Sequence, residues 1–96
     1  MKETEVKLGQ LVLSTQGRDK GVLAIVVEKV DDKFVKIADG TVRRVSKPKL
    51  KKIKHLKITE DFSIEVIEKI EKGQPLTDGI VAKAIKSFQE LEGENV

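Results

Sequence analysis

Leu23-Ala24-Ile25-Val26-Val27-Glu28-Lys29-Val30-Asp31-Asp32-Lys33-Phe34-Val35-Lys36-Ile37-Ala38 is the stretch whose reading decides the fold. Leu23, Ile25 and Val27 alternate with Ala24, Val26 and Glu28; after a polar break, Val35 and Ile37 alternate with Phe34, Lys36 and Ala38. A period of two belongs to a pleated strand, and the β-branched residues that dominate both runs suit one. Val30-Asp31-Asp32-Lys33-Phe34 between them predicts a short hairpin loop.

The same signals continue on either side. Upstream, Leu11 and Leu13 alternate with Val12, and Gly17-Arg18-Asp19-Lys20-Gly21 predicts a tight loop with two positions able to take positive φ. Downstream, Asp39-Gly40 predicts a type I′ hairpin turn into a fourth strand that ends or bulges where Arg43 and Arg44 interrupt Val42 and Val45. Four or five strands so closely spaced predict a small antiparallel barrel, closed or nearly so. Pro48 excludes a central strand position, and Leu50, Ile53 and Leu56 recur at every third residue. That spacing predicts a helical turn or irregular arm pinned by three apolar anchors, with its lysines facing outward together.

After Ile58 the period becomes that of a helix. Ser63 predicts an N-cap, with Phe62 and Ile67 as a hydrophobic staple; Val66, Ile67 and Ile70 form a stripe that ends before Gly73. Gly73 and Pro75 mark a turn. Thr77 predicts a second cap, with Leu76 and Val81 as the staple and Ile80, Val81, Ala84, Ile85, Phe88 and Leu91 as the apolar face before Gly93. Two short helices are expected, unstable alone and packed on the barrel, on each other or on a partner. The expected division is residues 1–58 for the barrel and its basic arm, and 59–96 for a helical appendage packed on it.

Ninety-six residues with no cysteine suffice for one domain without a disulfide or metal. The charged start, Met1-Lys2-Glu3-Thr4-Glu5, is followed by no long apolar run, so no signal peptide or membrane span is expected and the protein is read as soluble and cytoplasmic. The net charge of +3 conceals an asymmetry: 15 basic against 7 acidic side chains in residues 1–57, and 4 against 9 in residues 58–96. Residues 43–57 carry Arg43, Arg44, Lys47, Lys49, Lys51, Lys52, Lys54 and Lys57 with no acid among them. Like charges at this density repel, which points to a polyanionic partner rather than to fold stability. A solvated charged face is the plainer account of such a run. For Glu65, Glu68 and Glu71 it is the leading one, with an intramolecular clamp over the lysines as a second idea.

The ordered combination of Gly9-Gln10-Leu11-Val12, Gly17-Arg18-Asp19-Lys20-Gly21, Phe34-Val35-Lys36-Ile37, Asp39-Gly40, Arg43-Arg44 and His55-Leu56 resembles the KOW module. It is similar to the KOW-bearing large-subunit ribosomal proteins of archaea and eukaryotes, and to KOW-domain RNA-binding proteins of Gram-positive bacteria. The resemblance covers about half of the chain. It implies a small SH3-like barrel of about five antiparallel strands; with the two helices read from the period after Ile58, the expected fold is mainly β with C-terminal α. It also implies binding to structured, ribosomal RNA, with ribosomal proteins as further partners and a monomer off the ribosome. Gly21 matches the characteristic KOW glycine, the loop from Arg18 to Lys20 matches the loop near RNA, and Arg43 and Arg44 match the basic strand. The plainer reading of Gly17 and Gly21, and of Gly40 with Asp39, is turn geometry.

The residue chemistry agrees with the resemblance. Arginine offers phosphate a rigid fork and lysine a mobile point charge. The expected RNA-binding set is Arg18, Lys20, Arg43, Arg44, Lys47, Lys49, Lys51, Lys52, Lys54, His55 and Lys57, with His55 structural or adjacent to phosphate. Phe34, Phe62 and Phe88 are the only aromatics and each lies in an apolar pattern, so shape and backbone recognition of folded RNA is expected rather than stacking on exposed rings. With no cysteine, one histidine and no glycine-rich phosphate loop before a helix, no enzymatic activity, metal or cofactor is expected. The rival reading is a KOW-type protein-interaction module that offers the helical face of Ile80, Ile85 and Phe88.

Overall fold

A computed structural model of the protein describes residues 6–94, with the side chains of residues 19 and 90–94 left aside. Met1-Lys2-Glu3-Thr4-Glu5 and the Leu91 side chain of the expected apolar face lie outside what it describes. The chain is mainly β with C-terminal α. Strands β1 (Gln10–Ser14), β2 (Leu23–Lys29), β3 (Phe34–Ala38), β4 (Lys49–Lys52) and β5 (Leu56–Phe62) precede helices α1 (Ile64–Glu71) and α2 (Asp78–Glu94). All pairings are antiparallel, in the order β4-β3-β2-β1-β5.

The sheet is open: no β4–β5 ladder closes it among the described residues. It is nonetheless curled. β4 and β5 lie at opposite edges of the sheet, yet only a 3-10 turn of 3 residues, Ile53–His55, joins them. That link reaches at most about 14 Å, whereas the edges of a flat five-strand sheet would stand about 19 Å apart.

Curling gives the sheet two buried faces. The concave face gathers Val6, Val12, Ala24, Val26, Val35, Ile37 and Leu56; the convex face carries Leu11 and Ile25 against Val66, Val81 and Ile85 of the helices. The unbroken apolar runs in β1 and β2 are thus explained: successive residues point to opposite faces, and both are covered. Val81 and Ile85 are buried and Ile80 and Phe88 pack against the same cluster, so the helical face is covered by the protein's own sheet.

The β2–β3 hairpin forms as expected, with Asp31 Oδ1 accepting from the Lys33 and Phe34 amides at 2.8 Å each. The expected fourth strand does not form. Residues 39–48 instead wrap around the buried Asp39, whose Oδ1 accepts from the amides of Thr41 and Arg43 at 2.9 Å each, while the Asp39 and Gly40 amides donate to the Arg43 carbonyl. One carboxylate collecting several amides outcompetes a two-residue turn. The strap is then fastened to α2: Asp78 Oδ1 accepts from the Val45 amide at 2.8 Å, and Asp78 Oδ2 lies 3.8 Å from Arg44. Gly40, at φ +82°, sits directly against the first turn of α2, where a Cβ would strike the Asp78 carbonyl and come within 2.9 Å of the Ala82 amide nitrogen.

The lysine arm is likewise part of the sheet. Lys49–Lys52, which begins just after Pro48 where no ladder amide is needed, pairs with β3, and the following strand, Leu56–Phe62, pairs with β1. Strand parity replaces the three-residue spacing of the anchors. Leu56 is buried and Ile53 half-buried, but Leu50, paired with Lys36, faces outward, while Lys51, paired with Val35, turns inward. β5 extends through Phe62, so the helical part starts at Ser63 rather than at residue 59.

Both helix caps form where expected. Ser63 Oγ accepts from the Val66 amide at 3.2 Å and Thr77 Oγ1 from the Ile80 amide at 3.2 Å. Gly73 and Gln74 close α1 by donating to the carbonyls of Ile70 and Lys69, a Schellman ending. The second helix is not short: its 17 residues run through Gly93 to Glu94. Replacing Ser63 by Ala is expected to lower stability by about 1 kcal/mol in urea denaturation.

Candidate nucleic-acid interface

The loop between β1 and β2 carries Arg18 and Lys20 around a 3-10 turn, Gly17–Asp19. Its stem is closed by bonds from Ser14 N to Val22 O at 3.0 Å and from Gly21 N to Ser14 O at 2.8 Å. Two further bonds tie it to the β4–β5 junction. The Thr15 amide and hydroxyl donate to the His55 carbonyl at 2.9 and 2.8 Å, and Lys51 Nζ donates to the Gln16 carbonyl at 3.1 Å. Residues about 35 positions apart in sequence are thereby held side by side. Arg18 and Lys20, both exposed, stand beside the turn that presents exposed Lys52, Lys54 and Lys57.

The predicted binding residues therefore divide by place. Arg18 and Lys20 on the fastened loop, and Lys52, Lys54 and Lys57 along the segment from the end of β4 into β5, are exposed; these cations are called the ridge below. His55 is half-buried there, its carbonyl committed to Thr15. Lys51 does not join them: it is 8% exposed, and its ammonium fastens the loop from within. Arg43, Arg44, Lys47 and Lys49 lie apart, on the strap and the start of β4, lining a separate hollow. There Arg43 and Lys49 are half-buried, Lys47 is exposed, and Arg44 is paired with Asp78 while its side chain stays 66% exposed. Of the motif glycines, Gly17 and Gly21 shape the loop that carries Arg18 and Lys20, and Gly40 serves the packing of α2.

Lys33, absent from the expected set, joins the ridge. Its carbonyl accepts from the Ile53 amide at 2.8 Å, and with Asp32, Lys52 and Lys54 it surrounds an open groove of about 630 Å³ floored by Ile53, Leu56 and Ile58. No signal in the basic run could have found it, because Lys33 lies outside the run and arrives through the β2–β3 hairpin. The adjoining outer face is more nearly neutral, since Glu28 lies 3.8 Å from Lys36.

Fixed cations at the end of a sheet suit an extended polyanion, because lysines on a rigid base lose little order in meeting successive phosphates. Replacing Lys51 by Met tests the division made above. An outward lysine on phosphate contributes about 0.7–0.9 to the slope of log affinity against log salt. Lys51→Met is expected to leave that slope almost unchanged. Among the described residues no three His, Asp or Glu side chains gather as a metal site, and no helix is long and apolar enough to cross a membrane. No family model matches the chain, and no curated protein matches it.

Proposed function

We propose that this protein is a non-enzymatic, cytoplasmic RNA-binding protein of the KOW type that grips the phosphate backbone of structured RNA, ribosomal RNA foremost. The observation that supports this reading is the fastening of the Arg18–Lys20 loop to the β4–β5 junction, through Lys51 and Thr15, which holds two distant segments rich in exposed cations side by side. Lysines that were merely solvated would need no such fastening. The resemblance of the glycine and strand order to KOW modules supports the same partner. Phe34, Phe62 and Phe88 are each half-buried, which favours recognition of backbone and shape over stacking on rings.

Crosslinking the protein to RNA in cells and sequencing what is attached tests this reading. Enrichment of base-paired ribosomal segments is expected. Recovery of no RNA above an uncrosslinked control would overturn it.

A further inference from the structure

The exposed apolar side chains Val42 and Leu50, 76% and 50% exposed, both line one hollow of about 530 Å³. The strap and the start of β4 form it, and Pro48 supplies a third apolar surface. The remaining walls are Ser46 and the cations Arg43, Arg44, Lys47 and Lys49, with no acid among the lining residues. Asp78 stands outside the lining, where it orients the Arg44 guanidinium at 3.8 Å. The strap is held in place here by the bonds around Asp39 and by the Val45 amide on Asp78.

Two chemistries meet in this hollow, and together they define an occupant. Backbone phosphates explain the cations but leave Val42, Leu50 and Pro48 without purpose. A base inside a duplex shows a protein only its edge, whereas an unpaired base has a flat face that stacks on a guanidinium plane and can be buried against apolar side chains. Building on the RNA-binding reading above, we infer that the hollow seats one unpaired nucleotide of the bound RNA. Its base lies against Val42, Leu50 and the Arg44 plane, and its flanking phosphates meet Lys47 and Lys49. The substrate class thereby narrows to helical RNA interrupted by a bulge or an open internal loop.

The test measures anisotropy of two labelled blunt RNA duplexes of equal length, one fully paired and one with a single bulged adenosine, at fixed salt. The bulged duplex is expected to bind about fivefold tighter, in line with about 1 kcal/mol for apolar burial and one arginine contact. Because both side chains are exposed, Val42→Thr with Leu50→Thr places a β-branched residue at each position and keeps the fold, and circular dichroism checks this. That variant is expected to bind both duplexes equally. 2-Aminopurine placed in the bulge should change its fluorescence on binding the wild type but not the variant.

Equal wild-type affinity for the two duplexes would overturn this inference while leaving RNA binding intact. A preference that survives in the variant would overturn the hollow as the seat. Loss of the bulged duplex's preference on adding an acidic, leucine-containing peptide, at a lower concentration than bulged RNA needs to occupy the hollow, would assign the hollow to a protein instead. Failure of both duplexes to bind at all would overturn the RNA-binding reading itself.

Discussion

Replacing Gly40 by Ala is expected to lower the melting temperature by about 15 °C. Two independent effects add. At φ +82° an L side chain sits in the left-handed region, which costs about 1–2 kcal/mol. The new Cβ would also strike the Asp78 carbonyl and crowd the Ala82 amide, and both are backbone atoms of α2 that no rotamer change can move. Overpacking of this kind costs about 1–3 kcal/mol. A total near 3 kcal/mol converts to the stated shift for a domain of this size, at about 4–8 °C per kcal/mol. Gly21→Ala is the internal control. Its φ of +89° is equally left-handed, but among the described residues beyond its own chain neighbours no atom lies within 4 Å of the position a Cβ would take. It should lose only the conformational term. Equal losses for the two variants, measured by scanning calorimetry, would contradict the seating of α2 on the strap.

The largest functional effect is expected from replacing Lys52, Lys54 and Lys57 together by Gln. All three are exposed and belong to the ridge beside the Arg18–Lys20 loop. By counterion release each lysine on phosphate contributes about 0.8 decade of affinity at 0.1 M salt, so the triple variant should bind structured RNA about a hundredfold more weakly. The same loss should bring the salt slope down by about 2–2.5. Stability should change by less than about 0.5 kcal/mol per site, because surface positions without partners contribute little. Filter binding with a folded RNA, paired with urea denaturation, separates the two quantities. A variant that unfolds early would instead assign these lysines to the fold.

What was legible in the sequence follows the range of the interactions involved. The hairpin around Asp31 and the caps at Ser63 and Thr77 rest on bonds between residues two or three positions apart, so local residue types announce them. The strap was misread because its organising contacts are distant: Asp39 is buried, Asp78 takes the Val45 amide from 33 positions away, and Gly40 answers to a helix rather than to a turn alone. Lys51 was misread for a related reason. Which residues of a lysine-rich strand face inward depends on register, and only the pairing of Lys51 with Val35 settles it. The cation run announced an anionic partner but not its own geometry. The division into a ridge and a hollow, and the arrival of Lys33, come from the curl of the sheet.

The central claim, that the ridge holds RNA through its phosphates, is tested most directly by the salt dependence of wild-type binding to a structured RNA between about 50 and 300 mM monovalent salt. Arg18, Lys20, Lys33, Lys52, Lys54 and Lys57 are the exposed cations of the ridge, and none of them has an ion pair with a described acid. Engagement of about five or six of them predicts a log–log slope near −4 to −5. A slope shallower than about −1, or an affinity no higher than that of an acidic protein of equal size, would contradict it.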